Sequence, residues 1–226
     1  MSGAPTLSGQ AVKHAEIHVP ASGLWHLDVA LQDAPDLGTP TRQFVFQGLT
    51  LECAVVRSIN FAGERGLRLV AGKGGWRTII PPRQYQSPST LMLSVVIQDA
   101  ASLVGEPAPV IAIDQSLGNG YVRSQGPASR VLDLLPLWYA DFTGVVQSAS
   151  RTTTPITSNF TLMNVDRTMG RVVVASDSIA DWTPGRTFQT DALSATIGRV
   201  MHAITGSEVR TYAFTPNLAA GQAVHA

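Results

Sequence analysis

The stretch VAGKGGWRTII, residues Val70 to Ile80, sets three glycines and a lysine between two apolar runs. It reads either as a loop that cradles phosphate or as a tight turn between strands. A P-loop needs G-x-x-x-x-G-K-[ST] between a strand and a helix, so that the lysine grips phosphate and the hydroxyl holds magnesium. Here Lys73 is followed by Gly74, and Gly66 lies one residue too far from Gly72. The dinucleotide form G-x-G-x-x-G fails as well, because Arg77 occupies the third glycine position. The following TIIPP ends any helix within one turn. The stretch therefore reads as a bend in a β scaffold, where glycine permits positive φ or close approach by another backbone.

Upstream of the bend the pattern is β. AEIHVP and LWHLDVALQ alternate apolar and polar residues. In the second run Trp25, Leu27 and Val29 share one face, with His26 and Asp28 on the other. RQFVFQGLTLECAVVRSINFAG continues the pattern through Phe44, Phe46, Leu49, Leu51 and Val55, and GLRLVAG follows. The APDLGTP cluster marks a turn.

Downstream the period changes. SPSTLMLSVVIQDAASLVGE predicts a helix with Ser87 as N-cap, Pro88 at the first helical position and Gly105 at the C-terminal cap. Leu93, Val96, Ile97, Ala100, Leu103 and Val104 follow helical spacing. GPASRVLDLLPLW predicts a second short helix opened at Pro127 and stopped before Pro136, with Val131, Leu132 and Leu135 on one face. Strands then return, with hairpins over DFTG and DRTMG and a turn at Thr205-Gly206. The expected fold is mainly β (β+α): two β-barrel or sandwich-like units, residues 1–106 and 107–226, with two short helices between or packed on them.

The composition of the 226-residue chain excludes several functions. Sixteen basic and sixteen acidic side chains leave no net charge, so no long-range field draws in nucleic acid or an anionic membrane. Only 14% of residues are charged, against the usual quarter, which predicts that partners cover part of the surface. Cys53, the one cysteine, lies in the apolar run LTLECAVV and reads as a small buried hydrophobe. The opening MSGAPTLSGQAVKH has no apolar signal segment, and no run reaches the roughly 20 apolar residues of a membrane span. The expectation is synthesis in the cytoplasm without export by the general secretory route.

No residue set stands out as a catalytic, cofactor or metal site. His14 and His18 lie four apart on a strand, about 13 Å from each other at strand rise and too far to share one ion; no carboxylate completes a ligand set with them or His26 at standard spacing. His202 and His225 read as structural or solvated. G-x-S-x-G is absent, and with it a nucleophile elbow. Trp25, Trp76, Trp138 and Trp182 are spaced along the chain and read as fillers of β cores.

An ordered set of local patterns resembles bacteriophage tail and baseplate hub-like structural proteins. GGWRTIIPPRQY is followed by VIQDAASLVGE, a helix ending in Gly-Glu. RSQGPASRVLDLL and WYADFTGVV come next, then WTPGRTF and IGRVMHAITGSEVRTYAF. The set spans about residues 70 to 214. The resemblance implies a structural subunit of the virion tail tip or baseplate. Such hubs carry β-barrel domains and form rings, usually trimers, that join the tail tube and tape-measure protein to a spike or central fibre. It carries over no catalytic residue and no cofactor. Two other readings stay open. One is a carbohydrate-binding β module for host recognition, with Trp138, Tyr139 and Trp182 lining a groove. The other is a cell-wall (peptidoglycan) hydrolase, which no residue pattern promotes.

Overall fold

A computed structural model describes residues 3–32, 41–61, 63–151, 153–191 and 193–219. The APDLGTP turn and His225 lie outside the described residues. The fold is mainly β, as the alternating pattern predicts.

Six strands, β1 (Thr6–Leu7), β2 (Gln10–Val19), β3 (His26–Gln32), β4 (Thr41–Phe46), β5 (Leu49–Phe61) and β6 (Glu64–Ala71), form a closed barrel. The antiparallel order is β1-β4-β5-β6-β3-β2, and β2 returns to β1 through Ala11 and Gln10. Closure removes the free sheet edges that invite aggregation. Alternation fills the interior: Leu7, Ile17, Trp25, Leu27, Leu31, Phe44, Leu51 and Leu69 are fully buried. Val55 is only partly buried because a bulge between Val55 and Arg57 shifts the register.

The next segment packs a second core between short strands and helical turns. It comprises β7 (Ile79–Ile80), β8 (Arg83–Gln86), α1 (Leu93–Leu103), β9 (Val110–Ile111), β10 (Gly120–Arg123), β11 (Gly126–Pro127), β12 (Tyr139–Ala140) and β13 (Val146–Ser148). Helix α1 buries Leu93, Val96, Ile97, Ala100 and Ala101 against Trp76, Val131 and Leu132. It begins at Leu93, later than the sequence reading placed it. Ser87 is not its N-cap; the Ser87 hydroxyl donates to the Thr90 carbonyl and accepts from Ser89 N–H. The first-turn amide of Ser94 instead donates to Asp114, at 2.9 Å, and that of Leu93 to the Gln115 carbonyl. At the other end Gly105 takes φ +70°. Gly105 N–H meets the Ser102 carbonyl and Glu106 N–H the Ala101 carbonyl, a Schellman termination. The second predicted helix is a 3₁₀ helix, Ala128–Leu134, and it does stop before Pro136.

The last unit contains β14 (Phe160–Asp166), β15 (Arg171–Ser176), β16 (Thr187–Thr190), β17 (Leu193–Thr196), β18 (Arg199–Thr205) and β19 (Glu208–Phe214). Strands β18, β19, β15 and β14 extend the barrel sheet, because β18 pairs with His14 to Val19 of β2. The β16–β17 hairpin covers this extension, and Phe188 and Trp182 lie buried with Val172, Val174 and Val200. The hairpins over DFTG and DRTMG and the turn at Thr205-Gly206 form where expected.

His202 of β18 is buried, with Nδ1 2.9 Å from the Thr211 hydroxyl. Burial pushes its pKa down from 6.5 to about 4. The unfolded chain therefore takes up this proton first. The stabilising contribution is whole above pH 6.5 and is lost as pH falls toward 4. We expect roughly 3 kcal/mol of stability to disappear across that window, read as a falling urea midpoint. A folded His202→Gln variant should show a flatter profile; an equally steep one would refute the assignment.

Candidate functional site

The glycine bend holds an anion, and the anion belongs to the chain. Gly72, Lys73, Gly74 and Gly75 leave the end of β6 and turn around the carboxylate of Glu106, just past α1. Lys73 N–H donates to Glu106 Oε2 at 3.1 Å and Gly75 N–H to Oε1 at 2.6 Å. Gly72 N–H donates to the Glu52 carbonyl of β5. The carboxylate is buried, so these charge-assisted bonds work in a low dielectric. The glycines are dictated by contact. A Cβ on Gly72 would lie 2.6 Å from Glu106 Oε2, and one on Gly75 2.3 Å from the Val104 carbonyl oxygen. Gly144 of the DFTG turn packs against Gly72 so closely that its own Cβ would stand 2.5 Å from Gly72 Cα. The bend is thus a joint, already filled, between barrel, helix and hairpin. Sequence reading ruled out phosphate and missed the occupant; its signal is the Gly-Glu pair that ends the helix.

The histidines separate into two groups. His202 is the buried core residue just described. His14, His18 and His26 are half-buried on the outer face of the barrel. His14 faces the Thr205 hydroxyl at 3.1 Å and Glu16 at 3.3 Å. His18 does not join His14. The β2–β3 register puts it opposite His26, and the rings stack with centroids 4.4 Å apart and planes 9° from parallel. Asp28 follows on the same face of β3, and Arg68 of β6 grips both its oxygens at 2.7 Å. That hydrogen bonding holds the Asp28 carboxyl below its ordinary pKa. Burial, then the charge of His18, lowers His26.

Cys53 is buried beside the Arg42 carbonyl, and desolvation pushes its thiol up to about 12. It behaves as the small hydrophobe expected. Trp25, Trp76 and Trp182 are wholly buried and Trp138 is half-buried against the second core. Trp182 packs against Phe160 and Phe188 and cannot line a surface groove. Tyr139 borders a groove of about 380 Å³, but the Arg151 guanidinium sits 3.9 Å from its ring centroid and donates to the Pro20 and Ala21 carbonyls. The aromatic platform of the carbohydrate reading is therefore dispersed: one member in the core, one capped, one half-covered.

A further network missed in the sequence lies beside α1. Arg123, buried, donates to the Tyr85 hydroxyl at 2.8 Å and to Asp99 at 3.2 Å. Tyr85 donates to Asp99 at 2.6 Å, and Arg83 also pairs with Asp99. Burial, reinforced by the bond to Asp99, raises the Tyr85 phenol to about 12. The network fastens the β8–β10 ribbon to the helix.

No protein-family profile and no curated protein matches the chain. Solved structures do. A tail protein from Neisseria meningitidis MC58 is similar at TM-score 0.62 and 10% identity, over 96% of this chain and 98% of that one. The 43 kDa tail protein of prophage MuSo2 from Shewanella oneidensis is similar at TM-score 0.65 and 8% identity, over 97% and 99%. The E. coli c3393 protein reaches TM-score 0.58 at 13% identity, over 93% and 76%. It is described as a component of the type VI secretion system with structural similarity to the T4 tail proteins gp27 and gp5.

Glu106→Ala should cost about 3 kcal/mol, because it strands two buried amides that a charged acceptor satisfied. Gly75→Ala should cost about 2 kcal/mol through displacement of the Val104 carbonyl. Urea denaturation of both variants measures these losses, and wild-type midpoints would show that the joint carries no strain or bonding of consequence. With these contacts in place, the chain has the fold of the Neisseria and Shewanella tail proteins.

Proposed function

We propose that the chain is a hub-like structural subunit of a phage tail tip or baseplate, acting through buried surfaces and performing no chemistry. The observation that carries this reading is the shared fold, which spans nearly the whole of this chain and of two tail proteins. In this role it resides in the virion tail as a ring of copies, a trimer favoured, and contacts the tail tube, tape-measure protein and spike.

The surface supports a covered state. Among the described residues, Ile79, Val95, Leu103, Val110, Ile113 and Val122 of the segment between the barrel and the last sheet are large apolar side chains left exposed. Ile113 is 76% and Val122 66% exposed. An apolar side chain left in water is stabilised when a neighbour covers it. We assign this segment to the contact between copies.

Sedimentation or light scattering of the purified chain should give three times the 24.0 kDa of one copy. The paired change Ile113→Asp, Val122→Asp should return it to one copy that keeps the wild-type circular dichroism, with melting lowered only by the association lost. Antibody labelling should mark tail tips. A strictly monomeric protein that is absent from particles would overturn the proposal.

A further inference from the structure

The stacked pair of histidines on the barrel has no part in the hub reading, and its chemistry points elsewhere. We propose that His18, His26 and Asp28 form a binding site for one divalent transition-metal ion of the zinc, copper and nickel class.

The three residues offer one donor atom each, and these atoms all lie within 4.8 Å of one another. Two imidazoles and a carboxylate are a borderline donor set that suits these ions and leaves further positions open. The scaffold is rigid. His18 and His26 are directly paired residues of adjacent strands, and Asp28 lies two residues along β3 from His26, so all three share one face of the sheet. Ligation at about 2 Å sets tetrahedral donors about 3.3 Å apart, so a set spread over as much as 4.8 Å has to close by up to about 1.5 Å. The rings are now parallel, so their lone pairs run side by side. Rotation of one ring about its broad terminal torsion makes them converge at little cost.

The surroundings favour the ion. Arg68 holds Asp28 in one orientation while each carboxylate oxygen keeps a second lone pair for a metal. The Glu16 carboxylate lies 3.4 Å from His18 Nε2 and adds negative charge beside the pair. Outer groups of this kind orient ligands and tune affinity. The His18 and Asp28 side chains are each 32% exposed; a groove of about 480 Å³ lined by His18, Leu24, His26, Arg199, Met201 and Phe214 opens onto the two histidines, and Asp28 lines a neighbouring groove of about 350 Å³. Ions therefore have a route in.

The test uses the full chain, free of any polyhistidine tag. Calorimetric titration with zinc should give one ion per chain, and cobalt should produce a visible d–d absorption at the same stoichiometry. His18→Ala and His26→Ala should each weaken zinc binding by about tenfold or more, and His14→Ala should leave it unchanged. Melting without metal shows whether each variant is folded. Should either fail to fold, the imidazole NMR signals of the wild-type protein decide: zinc should shift His18 and His26 and spare His14 and His202. Absence of stoichiometric uptake, wild-type affinity in the His18 and His26 variants, or shifts confined to other histidines would each overturn the site.

Discussion

The Glu106 carboxylate meeting the amides of Lys73 and Gly75 sets how the barrel, the helix and the DFTG hairpin sit against each other. A glycine-rich turn left to itself is costly, because it loses more backbone freedom on folding than other segments. Buried amides with no acceptor would add to that cost. One carboxylate satisfies two of them. It is delivered by the Schellman end of α1, whose amides at Gly105 and Glu106 bond back into the helix. The close passage of Gly72 against Gly144 adds the hairpin to the same point. Helix termination, loop conformation and contact between segments are therefore one cooperative arrangement. Phosphate has no room there, since the anion position is taken from within.

The second constraint is the division of one strand between two structures. β2 gives its first residues to β1, which closes the barrel, and its remaining length to β18, which begins the last sheet. Its other edge pairs with β3 from Val12 to His18, with a bulge between Val12 and His14. A strand so shared cannot shift register without exposing Ile17 and Val19 and burying His14, Glu16 and His18. The barrel and the last sheet are thus joined by a continuous hydrogen-bonded ladder.

Local features were legible in the sequence where one residue type answers one local demand. Alternation placed Trp25, Leu27 and Val29 inside the barrel, turn residues marked the later hairpins, and Gly105 marked the helix end. Features that depend on distant partners were not legible. Ser87 and Pro88 have the chemistry of a helix start, yet the first-turn amide of Ser94 finds its acceptor in Asp114, so the helix begins later. Barrel closure rests on the two-residue β1, too short to register as a pattern. Glu106 looked like an ordinary residue past a helix, and its role appears only when the turn at Gly72–Gly75 comes beside it. The His18–His26 pair arises from strand register, which spacing along the chain does not encode; spacing did keep His14 apart from His18, as the structure shows. Trp182 was separable from a surface platform only once Phe160 and Phe188 were seen around it.

The scarcity of charge acquires a physical meaning from where the charges are. Of a chain with only 14% charged residues, several arginines are committed internally. Arg123 is buried in the Tyr85–Asp99 network, Arg151 is spent on Tyr139 and two carbonyls, and Arg186 spans Asp181 and Thr154. Arg68 is matched to Asp28. Paired ions of this kind fix geometry more than they add stability, and they subtract from the charge available to hydrate the exterior. What remains outside includes apolar side chains such as Ile113 and Val122. A free monomer built this way has little self-repulsion to keep copies apart. A subunit flanked by neighbours has no need of it, because contact removes that apolar area from water and the internal ion pairs keep each copy's shape unchanged on joining. In the proposed tail role, where the charges sit matters more than how many there are, because neighbours would cover what they leave apolar.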